Sequence, residues 1–234
     1  MLNDLELTGR ARSHVIQCDD LAAAIHADAL EPFLAMKADA ARDGVDVAIT
    51  SAFRDFEAQQ RIWNLKWRGE RPLYDSQGVE RDHAALGPLE LVEAILCWSA
   101  LPGASRHHWG SEIDVIDRAA MAEGYRVQLL PHEAAPGGVF HPLHCWLDAH
   151  MARYGFFRPY RTFRGGVHPE AWHLSFAPIS AAALAALTPT LLAEAVSASD
   201  MLGKGCVLER IDELHTRYVA NIDEPPGGAG FSFA

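Results

Sequence analysis

The sequence predicts an α+β fold, and three observations carry that expectation. Segments with helical spacing of apolar residues are interspersed with short alternating or β-branched runs. Gly or Pro punctuates most of the boundaries between them. From Pro178 onward the strand-like runs stop and only helical pieces remain. The expected organisation is therefore an α+β domain over residues 1–177 and a C-terminal helical extension over 178–234.

The elements follow in order. Residues 1–27 read as irregular, with a short strand at 14–17. Asp28 and Glu31 have capping-box spacing and Pro32 fits a first helical turn, so a helix is expected from there to Arg42, ended by Gly44. Val45 to Thr50 reads as a strand with Val45, Val47 and Ile49 on one face. Phe56 to Trp67 is a second helix stopped by Gly69, and residues 68–87 are loop-like. Pro88 opens a third helix to about Ala100, with Leu89, Val92 and Leu96 inward and Pro102-Gly103 as the break. A strand is expected from Ser111 to Ile116. His141-Pro142 starts a helix whose stripe is Leu143, Trp146, Leu147, Met151 and Tyr154, stopped by Gly155. Trp172, Leu174 and Phe176 alternate as a strand should. Helical pieces at 180–187, 191–196 and 207–219 precede a Gly/Pro-rich end that reads as loose from Pro225 on.

Composition narrows the function. A chain of 234 residues with 49% hydrophobic residues can bury a core without staples. Its formal net charge of −11 repels phosphate backbones, which argues against nucleic-acid binding. No stretch reaches the ~18–20 apolar residues of a membrane span. The richest, Ala181 to Leu192, is cut by Thr188-Pro189-Thr190. The N-terminus has no signal-peptide run. Cys18, Cys97, Cys145 and Cys206 have no CxxC spacing and read as free thiols in a reducing compartment. A cytoplasmic location is expected, or an exported one if a leader has been removed.

Two segments carry chemistry. Catalytic zinc takes three protein ligands and keeps one position open for water. His107 sits in a loop, Asp114 lies on the following strand, and a turn at Gly110 brings imidazole and carboxylate together. His173, from another strand, supplies a third ligand. Glu170, three residues earlier, can reach over the metal without binding it and act as general base, then acid. His107 and His108 are neighbours that face opposite ways, so one of the two is the ligand. His168 is an alternative donor. His141, His144 and His150 share one helix, but only the first two are close and no acid completes a set, so they read as structural. Trp63 and Trp67 have helical spacing and read as core.

These blocks resemble the zinc D-alanyl-D-alanine carboxypeptidases and dipeptidases of the VanY/VanX type, peptidase family M15. The pattern S-x-H-x-x-G-x-A-x-D is met by Ser105, His107, Gly110 and Asp114. E-x-W-H is met by Glu170, Trp172 and His173. S-x-[YF]-R followed by Gln is met by Ser51, Phe53, Arg54 and Gln59. The resemblance spans roughly residues 30–176 and selects His107 over His108.

It implies a small antiparallel sheet with flanking helices carrying a mononuclear zinc site, as in the hedgehog/D,D-peptidase fold, with one Zn²⁺ per chain on His107, Asp114 and His173. It implies hydrolysis of the C-terminal D-Ala peptide bond of peptidoglycan stem peptides, with Glu170 as base. Arg54 would clamp the substrate carboxylate or the developing oxyanion. Ser51, Gln59 and Ser105 would hydrogen-bond substrate, and Trp172 would wall the site. An L,D-carboxypeptidase on the same scaffold is an alternative. So is an inactive metal-holding protein in which Glu112 fills the water position. The family has Ala where this chain has Glu112, on the same strand face as Asp114. Glu112 is therefore expected to crowd or acidify the metal, or to restrict the substrate. A serine hydrolase built on Ser105 lacks the G-x-S-x-G elbow.

Overall fold

The computed structural model describes residues 1–225. Most of the Gly/Pro-rich end, residues 226–234, lies outside the described residues. The N-terminal stretch is more ordered than its sequence suggests. Helix α1 (Asp4–Leu7) is capped by Asn3, whose side chain accepts from Leu5 and Glu6 N–H. A hairpin follows, β1 (Val15–Cys18) pairing antiparallel with β2 (Ala23–His26). These strands alternate poorly in polarity, which hid the second of them.

The hairpin runs straight into α2 (Ala27–Arg42), and His26 supplies the cap, its Nδ1 accepting from Asp28 N–H at 3.1 Å. The Asp28/Glu31 box is therefore unused, and Pro32 lies inside the helix rather than in its first turn. Helix α2 buries Ala29, Phe33, Met36 and Ala40 at helical spacing. Next come β3 (Val47–Ser51) and α3 (Phe56–Trp67), the latter capped by Asp55 through Ala58 N–H and matching the expected range.

Helix α4 (Pro88–Leu96) ends four residues early. Its inward stripe is Leu91, Val92, Ile95 and Leu96; Leu89, expected inward, is 49% exposed. Strand β4 (Glu112–Asp117) is followed by α5 (Pro131–Ala134), α6 (His141–His150), β5 (Phe156–Phe157) and β6 (His173–Phe176). A 3-10 turn, Met151–Tyr154, extends α6 to Gly155. The chain closes with α7 (Ala177–Ala186), α8 (Pro189–Ser197), α9 (Lys204–Leu208), α10 (Ile211–Leu214) and a π-helical turn, His215–Val219.

The main sheet has the order β3-β4-β6-β5, all antiparallel. One face buries Ile113, Val115 and Leu174 against Phe33, Met36, Leu143 and Leu147 of α2 and α6. A second core joins Trp63, Leu91, Ile95 and Trp109 to Leu187, Leu192, Val196, Val207 and Leu214. The C-terminal helices thus share a core with α3 and α4, and packing is continuous across residues 177–178. No single helix among the described residues is long and apolar enough to cross a membrane.

Gly110 joins the two halves. It is left-handed, with φ +65°, and its carbonyl accepts from His26 N–H at 2.8 Å. A Cβ there would collide with Val15 Cγ1 and lie 2.9 Å from His26 N. Strain and overpacking together set the expected cost of Gly110→Ala at about 2–4 kcal/mol. Urea denaturation should show a lower midpoint with an unchanged slope; an unchanged midpoint contradicts this packing.

Candidate active site

Strand register builds the site. Ser51 of β3 pairs with Asp114 of β4, and Asp114 pairs with His173 of β6. One step along, Glu112 pairs with Ser175. Residues two apart share a sheet face, so Glu112, Asp114, His173 and Ser175 project together, away from the core under α2 and α6. A 3-10 turn, Arg106–Trp109, brings His107 over this row before Gly110 returns the chain to β4.

The ring nitrogens have distinct partners. His107 Nδ1 lies 2.8 Å from Ala52 O, which makes it the N–H donor and leaves Nε2 facing Asp114 Oδ2 at 3.3 Å. His173 Nδ1 lies 3.0 Å from Asp114 Oδ1, while its Nε2 lies 3.0 Å from Glu112 Oε2. Ligand atoms of His107, Asp114 and His173 fall within 4.8 Å of one another, the only such group of donors among the described residues. Tetrahedral zinc with bonds of about 2.0–2.1 Å separates its ligand atoms by about 3.3 Å; His107 Nε2 and His173 Nδ1 lie 3.3 and 3.0 Å from the two different oxygens of Asp114, inside a donor group no wider than 4.8 Å. Two imidazoles and one carboxylate also leave an open position. The residues therefore fit zinc.

The electrostatics agree. Burial would raise the Asp114 carboxyl, but His107 and His173 hold it well below the usual carboxylate range. Burial pushes His107 down. It would do the same to His173, yet Asp114 and Glu112 override it and push the imidazole up to about 10.

Glu112 lies outside the donor group. It is fully buried on the far side of the His173 ring, where it accepts from Nε2. Arg106 grips it from behind, Nε to Oε2 at 3.1 Å and Nη2 to Oε1 at 3.2 Å. Ser175 Oγ and Ser111 Oγ complete its shell. Burial alone would raise this carboxyl, but Arg106 and His173 bring it down to about 2. A carboxylate behind an imidazole in this way fixes the ring's tautomer and angle.

Arg54, Ser51 and Gln59 form one unit. Arg54 Nη1 donates to Gln59 Oε1 and Nη2 to Ser51 Oγ, each at 2.8 Å. Gln59 is fully buried and donates on to Ala100 O. Ser51 and Gln59, expected to contact substrate, hold the guanidinium in this structure. The Arg54 backbone is tied down as well: its N–H donates to His107 O at 3.1 Å, and its carbonyl accepts from His108 Nδ1 at 2.6 Å. His108 Nε2 accepts from Gly103 N–H, and burial pushes its pKa down to about 3. His108 is thus a neutral brace.

A cavity of about 340 Å³ opens over the donors, with Arg54, Ser105, Glu170 and Trp172 in its wall. Glu170 Oε2 lies 3.7 Å from His173 Nδ1. Burial raises its pKa to about 7. Trp172 stacks on Trp98 at 6.3 Å. Sequence reasoning missed Arg106, Lys66, Trp98 and Tyr160, which also line this cavity; no local pattern marks them. His168 packs between Trp98 and Phe163, outside the donor group. His144 sits beside Arg158 and His150 against Trp146.

Buried donors facing a glutamate that titrates near neutrality are the equipment of a hydrolase. Comparison with known proteins agrees. The VanY model, D-alanyl-D-alanine carboxypeptidase, matches residues 22–179. A D-alanyl-D-alanine carboxypeptidase of Enterococcus faecalis is 31% identical over 157 residues, 65% of this chain and 48% of that protein. The fold is shared with VanYB in complex with D-alanine-D-alanine (TM-score 0.51, 24% identity, 82% of this chain and 92% of that one). It is also shared with a vancomycin-resistance D,D-pentapeptidase VanY in complex with Zn(II) (TM-score 0.50, 23% identity, 73% and 82%). The chain belongs to the VanY family of D-alanyl-D-alanine carboxypeptidases, and it is a peptidase.

The Glu112–Arg106 pair gives a direct test. Glu112→Ala strands a buried guanidinium, so it should destabilise the fold by about 3–5 kcal/mol. Adding Arg106→Met should return stability to within about 1–2 kcal/mol of the parent. A Glu112→Ala protein as stable as the parent in thermal melts contradicts the pairing.

Proposed function

We propose that the protein is a zinc carboxypeptidase that removes the C-terminal D-Ala from peptidoglycan stem peptides or their precursors. One Zn²⁺ per chain would be held by His107 Nε2, His173 Nδ1 and an Asp114 oxygen. The observation that carries the reading is the placement of Glu170. It lies 3.7 Å from a ligand-bearing ring, in the same cavity as Arg54, with a carboxyl raised to about 7.

Held there, zinc would supply Lewis acidity, which lowers the pKa of a bound water to about 7 and polarises a carbonyl. The chain's own residues do the rest. The Glu170 carboxylate takes a proton from the attacking water and delivers it to the leaving amine. Its raised pKa suits both halves of that task near neutral pH. Arg54 faces the cavity with the N–H groups that Ser51 and Gln59 leave unused. They would bind the terminal carboxylate or the oxyanion, and the two anchors keep the guanidinium in place before substrate arrives. Ser105, buried in the cavity wall, adds a hydroxyl, and Trp172 with Trp98 supplies an apolar wall. Glu112 and Arg106 hold His173 so that Nδ1 points at the metal position.

All four cysteines are free, which fits a reducing compartment. A cytoplasmic enzyme would act on soluble precursors or recycled muropeptides.

Glu170→Ala should lower kcat for D-Ala release by about 10²–10⁴-fold while bound zinc, measured by mass spectrometry, stays at one per chain. Full hydrolysis by that variant contradicts the role. A stability test follows from the same pKa. The folded carboxyl titrates near 7 against 4.5 for the ordinary group, so Glu170 weakens the fold as pH rises through that interval. Glu170→Gln should therefore stabilise the metal-free protein at pH 8, by up to roughly 3 kcal/mol, and far less at pH 4. Equal melting shifts at both pH values contradict the raised pKa.

A further inference from the structure

Lys66 lies in the last turn of α3 and projects into the same cavity as Arg54 and Glu170. It shares a helix face with Gln59, seven residues earlier. Among the described residues its ammonium has one hydrogen-bond partner, the Ser99 hydroxyl, at 2.7 Å. Among the described residues no carboxylate pairs with it, and Glu170 acts on it only at longer range. Arg71, exposed at the cavity mouth, likewise has no acidic partner among the described residues. Arg106, by contrast, is neutralised by Glu112, and Asp114 is engaged by His107 and His173. The cavity therefore carries three cationic side chains, Arg54, Lys66 and Arg71, against Glu170, whose nearest charged partner is His173 at 3.7 Å.

A half-buried ammonium with two unused N–H groups is costly to hold unless an anion joins it. Burial, with Arg71 and Arg54 nearby, pushes Lys66 down to about 8, so it remains charged at neutral pH. A serine hydroxyl beside it adds a second donor with free rotation. Ammonium, hydroxyl and a guanidinium at the mouth are complementary to a carboxylate.

We propose that Lys66 Nζ and Ser99 Oγ, with Arg71 at the mouth, form a carboxylate subsite distinct from Arg54. It would give the peptidase proposed above a preference for acidic peptides. The anion could be the α-carboxylate of the C-terminal residue or a side-chain carboxylate of a residue upstream of it. Both share one chemistry, and the test separates them.

The test uses the full-length, zinc-loaded protein with Lys66→Met, Lys66→Arg and Ser99→Ala. Three peptides are compared: a pentapeptide ending in D-Ala-D-Ala with a dicarboxylic diamino acid at the third position, the same peptide with lysine there, and its C-terminal amide. Lys66→Met is expected to raise KM for the first peptide about 10–100-fold, with kcat within about threefold. Lys66→Arg should retain most of the affinity, and Ser99→Ala should show a smaller rise. The effect should vanish for the lysine peptide if the side-chain carboxylate is bound, or for the amide if the terminus is bound. KM within about threefold of the parent for all three peptides overturns the subsite. So does an equal rise on all three. The subsite rests on the peptidase reading, so binding of the same peptides is also measured by calorimetry in the Glu170→Ala background. Turnover by the parent protein without Lys66-dependent binding sinks the subsite alone. Lys66-dependent binding without turnover sinks the peptidase reading alone.

Discussion

The register between β3, β4 and β6 is the constraint on which the site depends. It aligns Ser51, Asp114 and His173 across three strands and puts Glu112 and Ser175 in the next row. A slip of one residue would turn Asp114 into the core under α2 and α6 and bring Ile113 to the site. The sheet is protected against that slip by what it buries on its other face, where Ile113, Val115 and Leu174 meet Phe33, Met36 and Leu143. Fold stability and donor geometry are thus set by the same pairing.

The polar face then has to carry several ionisable groups out of water, which is unfavourable unless each is partnered. Every charge in the row meets that condition. Asp114 takes both histidines, Glu112 takes His173 and Arg106, and Arg106 lies over Trp109 at 4.8 Å. The outer pair fixes the position next to the clustered donors, so His173 is held by a side chain that does not line the cavity. Arg54 is braced in the same manner: the loop that carries it is bonded to the turn that carries His107 and His108. The blocks around Ser51, Ser105 and Glu170 are far apart in sequence but form one mechanical unit.

Much of this was legible in the sequence. Helix α3 was readable to the residue, because its cap, its stripe and its stop are all local. The spacing of the two segments and the chemistry of zinc pointed to a His/Asp/His donor group with Glu170 beside it, and the family resemblance chose His107 over His108; the structure clusters His107, Asp114 and His173. What escaped was decided by tertiary packing. The hairpin strand β2 has no alternating pattern, and the α2 cap comes from an imidazole at the end of that strand, which displaced the Asp28 box. Leu89 satisfied a helical period that the core did not use. Gln59 looks like an exposed first-turn residue, yet it is buried under Arg54. Glu112 was the instructive case. Its strand face was read correctly, but its direction around His173 depends on Arg106, and no local pattern announces that partner. The C-terminal helices read as a separate extension because their composition changes at Pro178. In space they complete the core of α3 and α4.

In the proposed centre, His107, Asp114 and His173 would hold one metal ion through specified atoms while Glu112 stands outside the coordination sphere. Anomalous diffraction at the zinc edge, on crystals of the zinc-loaded protein, tests it most directly. A single strong peak bonded to His107 Nε2, His173 Nδ1 and an Asp114 oxygen is expected, with Glu112 hydrogen-bonded to His173 Nε2. A peak bonded to Glu112, or no peak at the row, would contradict it.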